Sequence, residues 1–372
     1  MTMVNATTQA APRVRVLRIQ RGINDQITGF REEAVDYNQP LALDYDPLIE
    51  MTRRENSPFQ MSLIEALVSK PDAANMLRDG IRFMAFEQMR QMPRTWSLLA
   101  RTETSGRKEE EYLRDAGFGV IPVVPSGSPV PFIEGSFDGG TKITNHLHRM
   151  GVQVTGDDIK FDRTGKVRQI ASGLGRSAVV TEESDFYAAI TTTANYTRNS
   201  TTGDNDTGAN QVTTTFNALG LDAALTTVST SKDRKSGQYL GYKADTIWTT
   251  PKMEFPVKQM LMSERIVRSN SAAAEVRGTG EYNPYMGLLD KIVISPWVGT
   301  SYQWGVCDST VYSFVVQTVE PWQVLQEGMV ETSEAWLINN AIRYIISGYY
   351  GMGFVDDRAW FFSDSTTAPT VS

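Results

Sequence analysis

Cysteine is nearly absent from this chain of 372 residues: Cys307 stands alone, so no disulfide can close within the chain, and a reducing compartment fits. A zinc site built from four cysteines, or from two cysteines and two histidines, is excluded for the same reason. Histidine is almost as rare, with only His146 and His148. No run of about 18 apolar residues occurs, so no transmembrane helix is expected. The stretch from Met1 to Pro12 is polar and lacks the apolar centre of a secretory signal. Positive charge is in deficit. Thirty-six Lys and Arg stand against 43 Asp and Glu, a net charge of −7, which argues against a strongly basic nucleic-acid binder. At 41% hydrophobic and 21% charged the composition is that of an ordinary globular protein, which excludes a wholly disordered or collagenous chain.

Catalytic patterns are missing too. Ser229 and Lys232 satisfy the Ser-x-x-Lys spacing of serine acyltransferases, but neither the Ser-Asp-Asn nor the Lys-Thr-Gly companion is present. A Ser/Lys hydrolase is the rival reading from a different class, and it points to no substrate. His146 and His148 form a His-x-His pair that one face of a strand would present together, as two metal ligands need. No third ligand is identifiable, so two strand residues facing solvent or a neighbour is the preferred reading. Gly173-Leu174-Gly175 and Gly278-Thr279-Gly280 lack the rest of any phosphate-loop fingerprint. The acid pairs Asp157-Asp158 and Asp356-Asp357 suit a helix start and a turn better than a carboxylate dyad. Cys307 has no basic neighbour in sequence, so an inert thiol is expected. Neither an enzyme nor a cofactor is indicated, and no metal site.

What is present is a set of extended parts. Residues 1–12 read as disordered, and Arg13, Arg15, Arg18 and Arg21 follow among Val and Ile as an extended arm. Residues 61–92 carry helical periodicity, split by Pro71 and ended by Pro93. Residues 94–150 read as a long two-stranded excursion with a Pro-rich return, too poor in apolar residues for a core of its own. The charge cluster Arg107, Lys108, Glu109, Glu110, Glu111 lies at the tip or flank of its loop. A helical segment is expected over about 157–196, weakened by Gly165, Gly173 and Gly175, and the Asn/Thr/Gly-rich stretch 199–213 reads as a loop. Beyond 214 the pattern mixes α and β. Helix is expected over 216–228 and from Pro251 to Met262, and strand over 246–249, 291–295, 311–319, 335–348 and 359–362. A polar tail closes the chain at 364–372.

In this order of parts the sequence resembles the major capsid proteins of tailed bacteriophages, those with the Hong Kong 97-like fold. The excursion at 94–150 is similar to the family's E-loop. Asp157-Asp158, then Ile170 to Ala178 (IASGLGRSA) and Asp185 to Ile190 (DFYAAI), resemble its spine helix and approach. Asp245 to Pro251 (DTIWTTP) resembles a strand entering the next helix, and Arg343-Tyr344 through Asp356 to Phe362 (DDRAWFF) resembles the closing strands.

The resemblance implies an α+β capsid fold with an N-terminal arm at 1–60, a helical lead-in at 61–93 and an E-loop at 94–154. A P-domain with the spine helix would follow at 155–264, an A-domain at 265–330, and C-terminal strands and tail at 331–372. It implies a structural protein that assembles with itself into pentamers and hexamers of an icosahedral shell around double-stranded DNA, located in the virion after assembly in the bacterial cytoplasm. Scaffold, portal and decoration proteins are the further partners it implies; sequence-specific DNA binding, membranes and cofactors are not implied. Arg107 to Glu111 would make contacts between subunits. The alternative within the same fold is the shell of an encapsulin-type nanocompartment.

Overall fold

Prolines set the first described helix. α1 (Pro71–Gln91) takes Pro71 in its first turn, where the missing N–H costs nothing, and ends before Pro93. The computed structural model describes residues 13–21, 27–36, 71–115, 121, 123–130, 132, 137–160, 165–198, 206, 208–234, 236–266, 281–299, 301–311, 313–327 and 334–369. The expectations for 1–12, for 61–70, for 199–205 and for 207 lie outside these residues. The described residues fall into two compact units, one formed by 1–87, 151–173 and 324–345, the other by 88–150, 174–323 and 346–372.

In the first unit, β1 (Arg13–Arg21) and β2 (Ile27–Asp36) pair antiparallel, with a register shift between Gln20 and Arg21. The extended arm is thus a hairpin. The segment expected as one helix over about 157–196 is two: α2 (Gly156–Lys160), in this unit, and α3 (Lys166–Thr191), most of which belongs to the second. Gly165, at φ 66°, stands at the start of the second, in a left-handed conformation that a glycine adopts without strain. Gly173 and Gly175 are absorbed within α3. Thr155 and Asp158 cap α2 reciprocally: the Asp158 N–H donates to Thr155 Oγ1 at 3.1 Å and the Thr155 N–H to Asp158 Oδ2 at 3.4 Å. Lys166 Nζ, 2.6 Å away, together with Thr155 holds the Asp158 carboxyl below its usual range.

The stretch 335–348, expected as strand throughout, is α6 (Glu334–Asn339) and then β14 (Ala341–Phe354). Asn340 joins them at φ 46°, a left-handed turn that Asn tolerates better than most residues. Ile338 is therefore exposed on the helix, whereas Ile342 is buried in the strand.

The second unit is organised by a five-stranded sheet in the order β11-β8-β12-β15-β7. Its strands are β7 (Gln211–Val212), β8 (Thr246–Thr249), β11 (Lys291–Ile294), β12 (Trp304–Cys307) and β15 (Trp360–Ser363). The three central strands are buried at every residue, the signature of a sheet covered on both faces. Alternation sorts their side chains. Trp248, Cys307, Trp360 and Phe362 enter a core with Phe186, Tyr187 and Ile190 of α3. Ile247, Trp304, Val306 and Phe361 enter a second core with α4 (Ala218–Ser229) and α5 (Glu254–Met262). A four-stranded sheet in the order β3-β13-β14-β6 contains β3 (Arg101–Thr104), β6 (His146–Thr155) and β13 (Phe314–Gln326). β4 (Glu109–Asp115) and β5 (Phe137–Thr144) form a separate two-stranded ribbon. Two short strands, β9 (Arg265–Ile266) and β10 (Glu281–Tyr282), pair beside the end of α5.

Candidate assembly interface

The β4–β5 ribbon of the second unit starts from a turn that its own polar groups pin. Asn145, buried at 2% exposure, donates through Nδ2 to the Arg107 carbonyl at 2.8 Å, and its N–H donates to the Lys108 carbonyl at 2.8 Å. The Ser105 N–H reaches the Thr318 carbonyl at 3.1 Å. The even positions of β4 then hold either this turn or the body. Glu110 accepts from Ser105 Oγ at 3.0 Å, and Tyr112 accepts from Gln317 Nε2 at 2.6 Å while donating to Glu103 at 2.9 Å. Arg114 Nη1 reaches Asp357 Oδ1 at 3.4 Å. The odd positions Glu109, Glu111 and Leu113 are exposed. The strand period of two thus separates an anchoring face from a free one.

The five charged residues singled out in the sequence are therefore not equivalent, and they sit at the root of the ribbon rather than at its tip. Arg107, Lys108, Glu109 and Glu111 are exposed, whereas Glu110 braces its own turn through Ser105 and lies 3.9 Å from Arg107. Toward the far end, Ile121, Val123 and Phe132 are exposed at 89%, 96% and 97%.

Two acids of α3 clamp the segment that leads into the ribbon. Glu183 is fully buried and accepts from the Thr95 N–H, from Thr95 Oγ1 and, at 3.4 Å, from the Trp96 N–H. Burial raises its carboxyl pKa, and those hydrogen bonds only partly oppose the rise. Glu182 pairs with Arg94 at 3.0 Å and accepts from Trp322 Nε1 at 2.6 Å. Sequence reasoning missed this clamp, yet a signal existed. Val179, Glu183, Phe186 and Ile190 follow the helical repeat, so an acid stands within the apolar stripe.

The closing turn is a second polar centre. Asp357 accepts from the Thr197 N–H at 2.5 Å, the Arg198 N–H at 3.2 Å and Asn210 Nδ2 at 3.3 Å, besides Arg114. Its neighbour Asp356 holds Arg358 bidentately at 2.8 Å through both Nε and Nη2. These are the turn roles expected for the pair. Between this turn, α3 and the ribbon root runs a groove of about 540 Å³ lined by Arg114, Lys142, His146, His148, Asp185 and Tyr350 among others.

The other residues raised by the sequence take ordinary places. His148 stacks on Tyr350 with ring centres 4.3 Å apart and lies 3.9 Å from Asp185, which accepts the Tyr350 hydroxyl at 2.7 Å. Ser229 Oγ turns back to the Thr226 carbonyl at 3.1 Å, and Lys232 lies over the Tyr239 ring at 5.0 Å. Each is engaged by its own local partner. Burial, reinforced by Asp245 and Asp308, drives the Cys307 thiol pKa well above its ordinary value, so it stays a neutral packing group. Among the described residues no group of three or more His, Cys, Asp or Glu could hold a metal ion, and no helix is long and apolar enough to cross a membrane.

Residues 150–362, more than half of the chain, match the model of a family described as phage capsid protein. The chain belongs to the phage capsid protein family. Among solved structures, the capsid of cyanophage P-SCSP1u is similar to this capsid protein at 11% identity with a TM-score of 0.51, covering 73% of this chain and 87% of that one. The capsid of a native GTA particle gives 12% identity and a TM-score of 0.49, covering 74% and 90%. A virus-like particle from Pyrococcus furiosus gives 10% and 0.46, covering 77% and 98%. No curated protein matches. The fold of this capsid protein is the α+β, Hong Kong 97-like one, and its role is that of a structural subunit of a phage capsid, associating with copies of itself.

Proposed function

We propose that this capsid protein is the major head subunit of a tailed phage, assembling into pentamers and hexamers of an icosahedral shell around double-stranded DNA, with no catalytic step. The observation that carries the reading, beyond family membership, is the β4–β5 ribbon. Three side chains of β4, Glu110, Tyr112 and Arg114, anchor it, while its far end exposes large apolar residues that the chain's own body leaves uncovered. Each such side chain gains about 1.5–3 kcal/mol when a neighbour buries it. The ribbon serves as the E-loop within 94–154. The hairpin β1–β2, marginal in isolation, serves as an N-terminal arm lying on another subunit. The P-domain at 155–264, the A-domain at 265–330 and the closing strands at 331–372 complete the subunit. A net charge of −7 keeps the shell from clinging to packaged phosphate. Scaffold, portal and decoration proteins are the partners such a shell takes.

The exposed charges at the ribbon root give the test. Arg107, Lys108, Glu109 and Glu111 pair with complementary charges on neighbouring copies, and Glu110 is spared for its own turn. Reversing Glu109→Lys and Glu111→Lys together lowers the yield of assembled particles at least tenfold on a sedimentation gradient. The circular dichroism and melting temperature of the unassembled subunit stay within error of the parent. Unchanged assembly would remove these residues from the interface.

A further inference from the structure

Five large apolar side chains are exposed on α5 and on the segment bonded to its C-terminal end: Phe255 at 74% exposure, Met262 at 60%, Tyr282 at 73%, Met286 at 47% and Leu288 at 40%. Phe255 and Met262 stand seven residues apart, two helical turns, and so share a face. Val257 and Leu261 hold the opposite side of the helix in the core. The segment that carries the remaining three is fixed against the C-terminal end of the helix, where Met262 stands. Asn283, fully buried, donates through Nδ2 to the carbonyls of Met260 at 2.6 Å and Ser263 at 2.8 Å, and its N–H reaches the Glu264 carbonyl at 3.0 Å. The Gly287 N–H reaches the Leu261 carbonyl at 3.2 Å, and Tyr282 pairs with Arg265 in the short ladder that follows α5. The patch is therefore braced by specific hydrogen bonds rather than left on a loose loop.

Large apolar side chains offer roughly 150–250 Å² each, so the five at these exposures expose on the order of 500 Å² in sum, an area comparable with the largest patch on a typical monomer. A standard interface buries about 800 Å² per partner, so this patch supplies most of one. Its charges cancel locally, since Lys258 pairs with Glu254 at 2.5 Å. That neutralised pair and the exposed Glu264 stand among the apolar groups, so the surface is mixed and carries no cluster of positive charge, suited to protein and not to phosphate. We propose that this patch is a docking surface for a second copy of the chain, and that the second copy covers it with a different surface of its own. The second clause follows from closure. Two identical patches meeting face to face make a two-fold pair and stop, whereas an unlike pairing continues around a ring. The inference rests on the shell-building reading above and adds to it the surface and the kind of contact.

The test places the photoreactive residue p-benzoylphenylalanine at position 255 in the full chain and irradiates assembled particles. The expected result is covalently joined chains, with the partner end mapping outside 254–262 and 281–288. Particles that form but yield only single chains overturn the inference while leaving the shell reading intact. A partner end inside the patch itself overturns the unlike pairing. If the variant chain alone fails to assemble, hydrogen exchange on the parent decides. Amides of 254–262 and 281–288 exchange at least tenfold more slowly in particles than in dissociated subunits, and equal rates overturn the proposal. A parent that forms no particles in any condition removes the shell reading and this inference with it.

Discussion

Replacing Arg358 with methionine destabilises the folded subunit by about 3–5 kcal/mol, measured as a fall in the urea midpoint at neutral pH. Arg358 is 2% exposed, gripped bidentately by Asp356 and 3.6 Å from Asp233. Methionine fills much of the volume but leaves two buried carboxylates without their cation, and an uncompensated buried charge is the costly outcome. The pH dependence gives the result a sign. In the parent, burial pushes the Asp356 carboxyl up, but the hydrogen bonds and charge of Arg358 outweigh it and leave the pKa below its ordinary value. A depressed folded-state pKa stabilises at pH above the unfolded value, about 3.9, and that contribution is lost as pH falls through the folded one. In Arg358→Met the same carboxyl keeps its burial and loses its partner, so its folded pKa rises above the unfolded value. The variant is then relieved as pH falls, and the gap between the two proteins narrows toward pH 4. A gap that stays constant or widens with acid would show that the pair is not the source of the stability.

Gly305→Ala is the second large effect, about 3 kcal/mol, at the upper end of the range for overpacking a core. Gly305 lies in β12 directly opposite Trp248 on one side and Phe362 on the other, and those two rings stack 5.6 Å apart across it. A methyl group there collides with the Trp248 indole and stands 2.5 Å from the Phe361 carbonyl oxygen. The ring could swing aside, but the carbonyl belongs to the adjacent strand and moves only with the ladder. The variant unfolds at lower denaturant with a blue- or red-shifted tryptophan emission from the displaced Trp248. An alanine variant with parental stability would mean that the central strands separate more easily than their fully buried ladder implies.

Much of this architecture was legible in the chain because local chemistry dictates it. Thr246 to Thr249 reads as a buried strand and is one; Pro71, Pro93 and Pro251 mark helix boundaries where the ring permits them. Gly165 marks the break before α3. The failure at 335–348 is equally instructive. A short apolar run fits a helix turn or a strand equally well, and Leu337 and Ile338 are exposed on α6, so no buried face disciplines the pattern. The polar anchors were harder. Arg114 and Asp357 lie 243 positions apart, and no spacing rule links them. Glu110 could not be told from Glu109 and Glu111 until the strand's alternation and Ser105 were in place. The patch around α5 was unread because Phe255 and Met262 look like core residues until the helix's buried side is seen to be Val257 and Leu261.

The measurement that tests the central claim most directly is the size and symmetry of the purified protein, by analytical sedimentation with electron microscopy of the same sample. The account predicts closed shells, or rings of five and six subunits, with the β4–β5 ribbon of each subunit lying over its neighbour. A protein that stays a monodisperse monomer across salt, crowding and added scaffold would contradict it, and would leave the apolar end of the ribbon and the patch around α5 without a purpose.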